Sequence, residues 1–194
     1  MINENFVYVA LALSFIGTGM YIKGIIKGEV KPNKITWLLI GLAPMLSFAA
    51  QLSEGVGIQS LHSFAVGFSP LLIFAVSLFY KKSYWKLVRF DYTMGLISFI
   101  GLMLWLVTGE GLLAIVFAII ADFTALIPTI KKLYKQPETE KGAIFGLGII
   151  SSVLVLLTID EYRFEEYGFS LYILLICIVM FYPTAKNKLL GSKI

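Results

Sequence analysis

The charged residues of this chain lie in short segments that are separated by long charge-free runs. The chain has 194 residues, of which 58% are hydrophobic and only 14% are charged. A soluble domain of this length would carry about a quarter charged residues. Each run is close to the roughly 17–25 residues that cross a bilayer as a helix. The runs cover residues 5–22, 35–53, 55–80, 92–109, 111–130, 142–159 and 167–185, and the fifth contains one acid.

This pattern predicts an all-α membrane protein with seven transmembrane helices and almost no chain left over for a soluble domain. Glu4 precedes the first apolar run and no positive segment does, so the first helix is predicted to be a permanent span rather than a cleaved signal peptide. The predicted spans are residues 6–22, 35–52, 61–79, 92–107, 112–130, 143–158 and 167–182.

The basic residues alternate with the acidic ones from loop to loop. All of the 16 Lys and Arg residues except Arg163 fall in segments 23–34, 81–89, 131–141 and 186–193. The remaining loops carry acidic residues instead. The positive-inside rule therefore predicts an N-terminus outside and a C-terminus in the cytoplasm. The net charge of +4 is explained by loops that contact lipid headgroups, so no nucleic-acid partner is predicted.

Asp122 is the only charged side chain placed deep inside an apolar run. An acid at membrane depth is costly without a partner, so its presence there favours a functional site. Ala118, Ala125 and Thr129 fall on the same helical face as Asp122. Small neighbours around an acid leave room for water, for a substrate or for a closely packed helix.

Polar residues at helical spacing also mark the first span. Ser14, Thr18 and Tyr21 are three and four positions apart and therefore share one face. This face is interpreted either as a packing stripe against a neighbouring helix or as the lining of a cavity. Ser69 on the third span and Ser151 on the sixth complete the residues assigned to a substrate or proton pathway.

Three prolines interrupt predicted spans, namely Pro44, Pro70 and Pro128. A proline frees a backbone carbonyl within a membrane helix, and these three are predicted to act as bending points.

His62 is expected to be a hydrogen-bonded residue at the membrane boundary rather than a ligand. Cys177 is expected to be a small buried hydrophobe.

The chain contains a weak internal repeat at an offset of 108 positions. At this offset Ser14 aligns with Asp122, and Tyr21 aligns with Thr129. In each half a basic loop that contains a proline separates the first two spans. The predicted architecture is a 3+1+3 parallel repeat of triple-helix bundles with a cavity between them. The predicted units are residues 1–80 (first repeat), 81–110 (linker helix) and 111–194 (second repeat and basic tail).

This plan resembles the SWEET, PQ-loop and PnuC-type transporter superfamily, whose members have three plus one plus three helices and are N-out and C-in. The segment Pro128-Thr129, followed by residues 131–134, resembles the proline–glutamine pair and basic turn of PQ-loop proteins. Segments 32–37, 128–132 and 137–140 more closely resemble small bacterial inner-membrane proteins of no assigned activity. The resemblance implies a location in the bacterial inner (plasma) membrane.

The sequence thus predicts a transporter of a small polar solute that works through Asp122, with proton coupling as one mechanism. The alternative is a membrane sensor or accessory subunit, in which Asp122 is a structural hydrogen-bond partner of Tyr21 or Ser151. No enzyme, metal or cofactor is predicted, because one His, one Cys and one deep acid cannot form a metal cluster. The expected partners are the lipid bilayer, the solute and a second copy in a homo-oligomer.

Overall fold

In a computed structural model, residues 2–30, 32, 34–80 and 89–191 are described, and among them no strand occurs. The prediction of an all-α protein is therefore confirmed for these residues. A short 3-10 turn, Pro137–Thr139, precedes the sixth helix. The helices are α1 (Phe6–Lys27), α2 (Lys34–Ser53), α3 (Ser60–Ser77), α4 (Arg89–Thr108), α5 (Gly111–Lys135), α6 (Gly142–Leu157) and α7 (Phe164–Gly191).

Five of the described helices are long and apolar enough to cross a membrane, namely α1, α2, α3, α5 and the part of α7 that covers Phe164–Lys186. The apolar helix α6 is shorter, with 16 residues. Large apolar side chains are exposed on these helices, among them Ile16, Leu42 and Leu175. A soluble monomer rarely exposes so much apolar surface, and these features are consistent with an integral membrane protein.

Three helices, α1, α5 and α7, end five or more residues beyond their predicted positions. Helix α1 continues through Lys27 and ends at Gly28, whose φ of 69° requires the left-handed conformation that glycine adopts readily. The prediction that the last span covers residues 167–182 and ends before Pro183 is wrong, because α7 continues to Gly191. A proline in a helix leaves the carbonyl four residues earlier without its usual donor. Here that carbonyl, of Val179, is approached by the Tyr134 hydroxyl at 3.5 Å.

The helices pair in a regular order. Helix α3 lies against both α1 and α2, and α7 lies against both α5 and α6. Between these groups, α1 packs on α6 and α2 packs on α5. Helix α4 packs mainly on α5 and also contacts α2.

The two ends of the bundle differ in charge. At one end, which we call the basic end, the α1 and α5 C-termini carry Lys27 and Lys135, and Lys141 forms an ion pair with Glu29. At the other, the acidic end, a carboxylate oxygen of Glu54 accepts a hydrogen bond from the backbone N–H of Gly111 at 3.0 Å. This separation matches the charge pattern of the loops.

Helices α2 and α3 approach closely at two glycines. A Cβ atom at Gly67 would lie 2.9 Å from the carbonyl oxygen of Gly41 and 2.9 Å from the backbone nitrogen of Met45. Both contacts are with backbone atoms, so neither can be relieved by a side-chain rotation. The crossing therefore depends on the absence of a side chain at Gly67.

We expect Gly67→Ala to destabilise the protein by about 1–3 kcal/mol, the range for overpacking a well-filled interface. The matched control is Gly19→Ala, since nothing lies within 4 Å of a Cβ at that position. The control is expected to be neutral or slightly stabilising, because alanine favours the helix. Thermal unfolding of both variants in one detergent measures the difference. Equal melting temperatures for the two variants would contradict the prediction.

Candidate functional site

A cavity of about 120 Å³ lies between the helices, and α1, α2, α3, α5, α6 and α7 all contribute to its lining. Its wall is mainly apolar, with Trp37 and Phe145 as the aromatic members. The polar and titratable lining residues are Ser14, Thr18, His62, Ser69, Asp122, Thr129 and Cys177. Five of the predicted pathway residues, Ser14, Thr18, Ser69, Asp122 and Thr129, are thus brought together around one space.

Asp122 is held by a single side chain of the neighbouring helix. It lies on the buried face of α5 and is only 2% exposed. The Tyr172 hydroxyl on α7 donates a hydrogen bond to its Oδ2 at 2.6 Å. No other hydrogen bond or ion pair reaches the carboxylate from the described part of the chain. The predicted partners, Tyr21 and Ser151, were wrong, because both side chains bond elsewhere.

His62 is fully buried on α3 and faces the cavity. Its Nδ1 lies 2.9 Å from the Ser170 hydroxyl of α7, whereas its Nε2 has no hydrogen-bond partner among the described residues. The Ser69 hydroxyl also lines the cavity and is likewise buried without a partner among them. Unpaired polar atoms inside a protein are costly, so these two atoms are the lining groups with hydrogen-bonding capacity left for a bound molecule.

The polar face of α1 has two roles. Ser14 and Ser151 lie 3.1 Å apart, and both hydroxyls lie within hydrogen-bond distance of the Ala10 carbonyl oxygen. The Thr18 hydroxyl donates to the Ser14 carbonyl at 2.9 Å. Ser14 and Thr18 also line the cavity, whereas Ser151 serves the contact between α1 and α6. Both interpretations of this face therefore apply, since Ser14 contacts α6 and also lines the cavity.

Tyr21 belongs to a buried cluster near the basic end of the bundle, which we call the basic-end cluster: Tyr21, Lys132 and Glu140. The Tyr21 hydroxyl donates to Oε2 of Glu140, and the Lys132 ammonium lies 2.6 Å from Oε1. The Glu140 side chain is 2% exposed and that of Lys132 is 18% exposed. Burial raises the pKa of Glu140, and Lys132 and Tyr21 act in the opposite direction.

The three prolines lie inside continuous helices. Pro44 and Pro70 are buried in α2 and α3, and Pro128 is half-buried in α5. Pro70 is the one of the three that lines the cavity. A role for these residues as bending points stays a prediction. Cys177 also lines the cavity, and a Cβ at Gly148 would lie 2.7 Å from its sulfur atom.

The cavity lining follows the repeat that the sequence suggests. His62 and Ser170, which contact each other, are 108 positions apart. The same offset relates further pairs of lining residues, one from each half of the chain. These pairs are Ser14 with Asp122, Thr18 with Leu126, Trp37 with Phe145, Ile40 with Gly148, Ala65 with Ile173 and Ser69 with Cys177.

Within the described residues, no group of three or more His, Cys, Asp and Glu side chains could hold a metal ion. Comparison of the chain with models of protein families, with curated proteins and with solved structures found no match. The candidate function therefore depends on the cavity itself.

Proposed function

We propose that the chain is a small-solute membrane transporter, with a solute site in the cavity between two parallel three-helix repeats. In this proposal α1–α3 and α5–α7 are the repeats, α4 is the linker, and the protein lies N-out and C-in in a bacterial inner membrane. The resemblance to SWEET, PQ-loop and PnuC-type transporters is part of the same proposal. The single observation that carries it is the cavity that both groups of helices line.

The helix contacts support the 3+1+3 arrangement. Exchanging α1 with α5, α2 with α6 and α3 with α7 converts each contact of one group into a contact of the other. The contact between α1 and α6 becomes the contact between α5 and α2, which is also present. Such self-consistency is expected of two repeats related by an axis along the membrane normal.

The position of the cavity supports transport. Transporters of this kind bind their solute near the midplane between repeats, and rocking of one repeat against the other exposes the site to alternate sides. His62 Nε2 and the Ser69 hydroxyl, which are buried and have no partner in the described part of the chain, line this space. In the proposed mechanism Asp122 contacts the solute or carries a coupled proton.

One observation favours a second candidate, a membrane sensor or accessory subunit without transport. The carboxylate of Asp122 already accepts a hydrogen bond from Tyr172 on another helix. Interhelical hydrogen bonds of this kind also serve helix association alone. In this candidate the cavity is a packing defect and the acid is structural.

A cavity-filling variant tests the first candidate. Purified protein in proteoliposomes is given pools of labelled sugars, amino acids, vitamins and polyamines. We expect saturable uptake from at least one pool, and we expect Ser69→Phe to reduce that uptake at least tenfold because the phenyl ring occupies the cavity. The matched control, Leu175→Phe, places the same ring on a side chain that is 57% exposed and should transport normally.

The melting temperature of each variant is measured first, so that a folding defect is not mistaken for a blocked cavity. Saturable uptake that Ser69→Phe and Leu175→Phe leave equally intact would place the transport pathway elsewhere. No uptake from any pool by the wild-type protein would favour the sensor or accessory subunit.

A further inference from the structure

We propose that the cavity binds a small organic monocation, with its ammonium group at Asp122 and its apolar part against the wall formed by Trp37 and Phe145. As an account of transport, this inference rests on the proposed function and names its solute class. The binding of such a cation is argued from the cavity residues and does not depend on transport.

The first argument is charge. Among the described residues, Asp122 is the only Asp or Glu that lines the cavity, and no Lys or Arg lines it. Its hydrogen-bond partner, the Tyr172 hydroxyl, is neutral when it donates and therefore leaves the negative charge uncompensated. Apart from Arg163, which pairs with Glu161 and Glu166, the basic residues of the described chain lie at the basic end. A buried carboxylate without a cation is a costly arrangement in a membrane, and a cationic ligand would remove this cost.

The second argument is the balance of hydrogen-bond donors and acceptors. The hydroxyl protons of Ser14 and Thr18 are directed at acceptors within the protein. The Asp122 carboxylate can only accept, and it keeps lone pairs beyond the one that Tyr172 uses. An ammonium group has three donors and no acceptor. The carboxylate therefore fits an ammonium group, while the Ser69 hydroxyl and His62 Nε2 remain as further polar atoms of the lining.

The third argument is size. The cavity measures about 120 Å³, somewhat less than the roughly 150 Å³ apolar cavity that holds a benzene molecule. A ligand that fills this space has about six non-hydrogen atoms, which is fewer than a hexose has. Trp37 and Phe145 supply apolar and aromatic surface for its carbon chain, and aromatic faces also attract cations.

The fourth argument is the asymmetry between the repeats. The position that corresponds to Asp122 in the first repeat is Ser14, which carries no charge. The cavity therefore offers one carboxylate instead of two. This selects a monocation over a diamine of the same length, because the second ammonium group would be buried without a counter-charge.

Binding to the full-length protein in detergent tests the inference, measured by titration calorimetry at fixed ionic strength. The probes are n-butylammonium, butyrate, 1-butanol and putrescine, which share a four-carbon chain but differ in charge and polar groups. We expect n-butylammonium to bind at least tenfold more tightly than each of the other three. We expect Asp122→Asn to weaken that binding at least tenfold and Asp122→Glu to restore part of it.

The location of the site is tested with the pair Ser69→Phe and Leu175→Phe. Only Ser69→Phe should abolish binding of n-butylammonium.

The inference would be overturned by any one of three results. These are binding of butyrate or 1-butanol with similar affinity, an unchanged affinity in Asp122→Asn, and no binding of n-butylammonium at millimolar concentration. If n-butylammonium binds in a way that depends on Asp122 but no flux is seen in proteoliposomes, the ligand class is supported and the transport function is rejected. If the protein takes up a neutral or anionic solute and n-butylammonium does not inhibit this uptake, the transport function is supported and the proposed ligand class is rejected.

Discussion

Replacing Lys132 by methionine is expected to lower the free energy of unfolding by about 3–5 kcal/mol, the usual effect of removing one partner of a buried ion pair. Lys132 lies 2.6 Å from a Glu140 side chain that is only 2% exposed. Methionine keeps the length of the side chain but leaves the carboxylate buried without its cation. Tyr21 would remain as a hydrogen-bond donor, which is too little to balance a buried charge.

The matched control is Lys141→Met, because Lys141 forms an ion pair with Glu29 at the same end of the bundle. These side chains are 39% and 44% exposed, so water replaces the lost interaction and little change is expected. A third variant, Lys132→Met with Glu140→Gln, removes the charge along with its partner and should recover most of the lost stability. Thermal or denaturant unfolding in one detergent compares the three.

The destabilisation by Lys132→Met should depend on pH. Burial raises the pKa of Glu140, and the largest opposing effect comes from Lys132, so removing that lysine should raise the pKa further. The folded protein then holds a proton that the unfolded chain releases. The free energy of unfolding therefore falls as pH rises from the ordinary carboxyl pKa to the raised pKa of the folded state. The variant should be closer to wild type at pH 5 than at pH 8. A pH-independent difference, or equal melting of Lys132→Met and Lys141→Met, would show that the pair contributes little.

The helices could be predicted from the sequence because charge is expensive inside a bilayer, and this cost acts on every residue of a span. The positions of helix ends are less strongly constrained by this cost. Lysines near a helix end can extend their charged groups towards water while the helix continues, so α1 and α5 run past Ile22 and Ile130 into their basic segments. Pro183 was mistaken for a helix end because its effect on α7 depends on whether the carbonyl of Val179 finds another donor.

The candidate site could be predicted only in part, for a related reason. Asp122 interrupts an apolar run, and this signal is local. Its partner Tyr172 and the contact between His62 and Ser170 are tertiary, and no spacing within one helix indicates them. Glu140 was missed altogether, because a glutamate among charged residues of a loop is ordinarily exposed. Its burial follows from tertiary contacts with Tyr21 of α1 and Lys132 of α5, which a sequence pattern does not contain.

Asp122→Asn is expected to abolish the dependence of solute flux on pH while leaving the protein folded. The asparagine carbonyl can still accept the Tyr172 hydrogen bond, so the contact between α5 and α7 survives without a titratable group. The experiment uses proteoliposomes and the solute whose uptake Ser69→Phe blocks, with flux measured at several pH values. The wild-type flux should vary at least tenfold across them, and that of the variant should not vary.

The matched variant is Tyr172→Phe, which removes the hydrogen bond and keeps the carboxylate. It should lower stability by about 0.5–1.5 kcal/mol, the net value of one hydrogen bond, and it should remain pH-dependent. Among the residues that the structure describes, the other titratable groups at the cavity or at Asp122 are His62 on α3 and Tyr172 and Cys177 on α7. If Asp122→Asn keeps the full pH dependence, the coupled proton lies on another group, with His62 the first to test. If Asp122→Asn changes neither flux nor its pH dependence, Asp122 is a structural residue, as the accessory-subunit alternative requires.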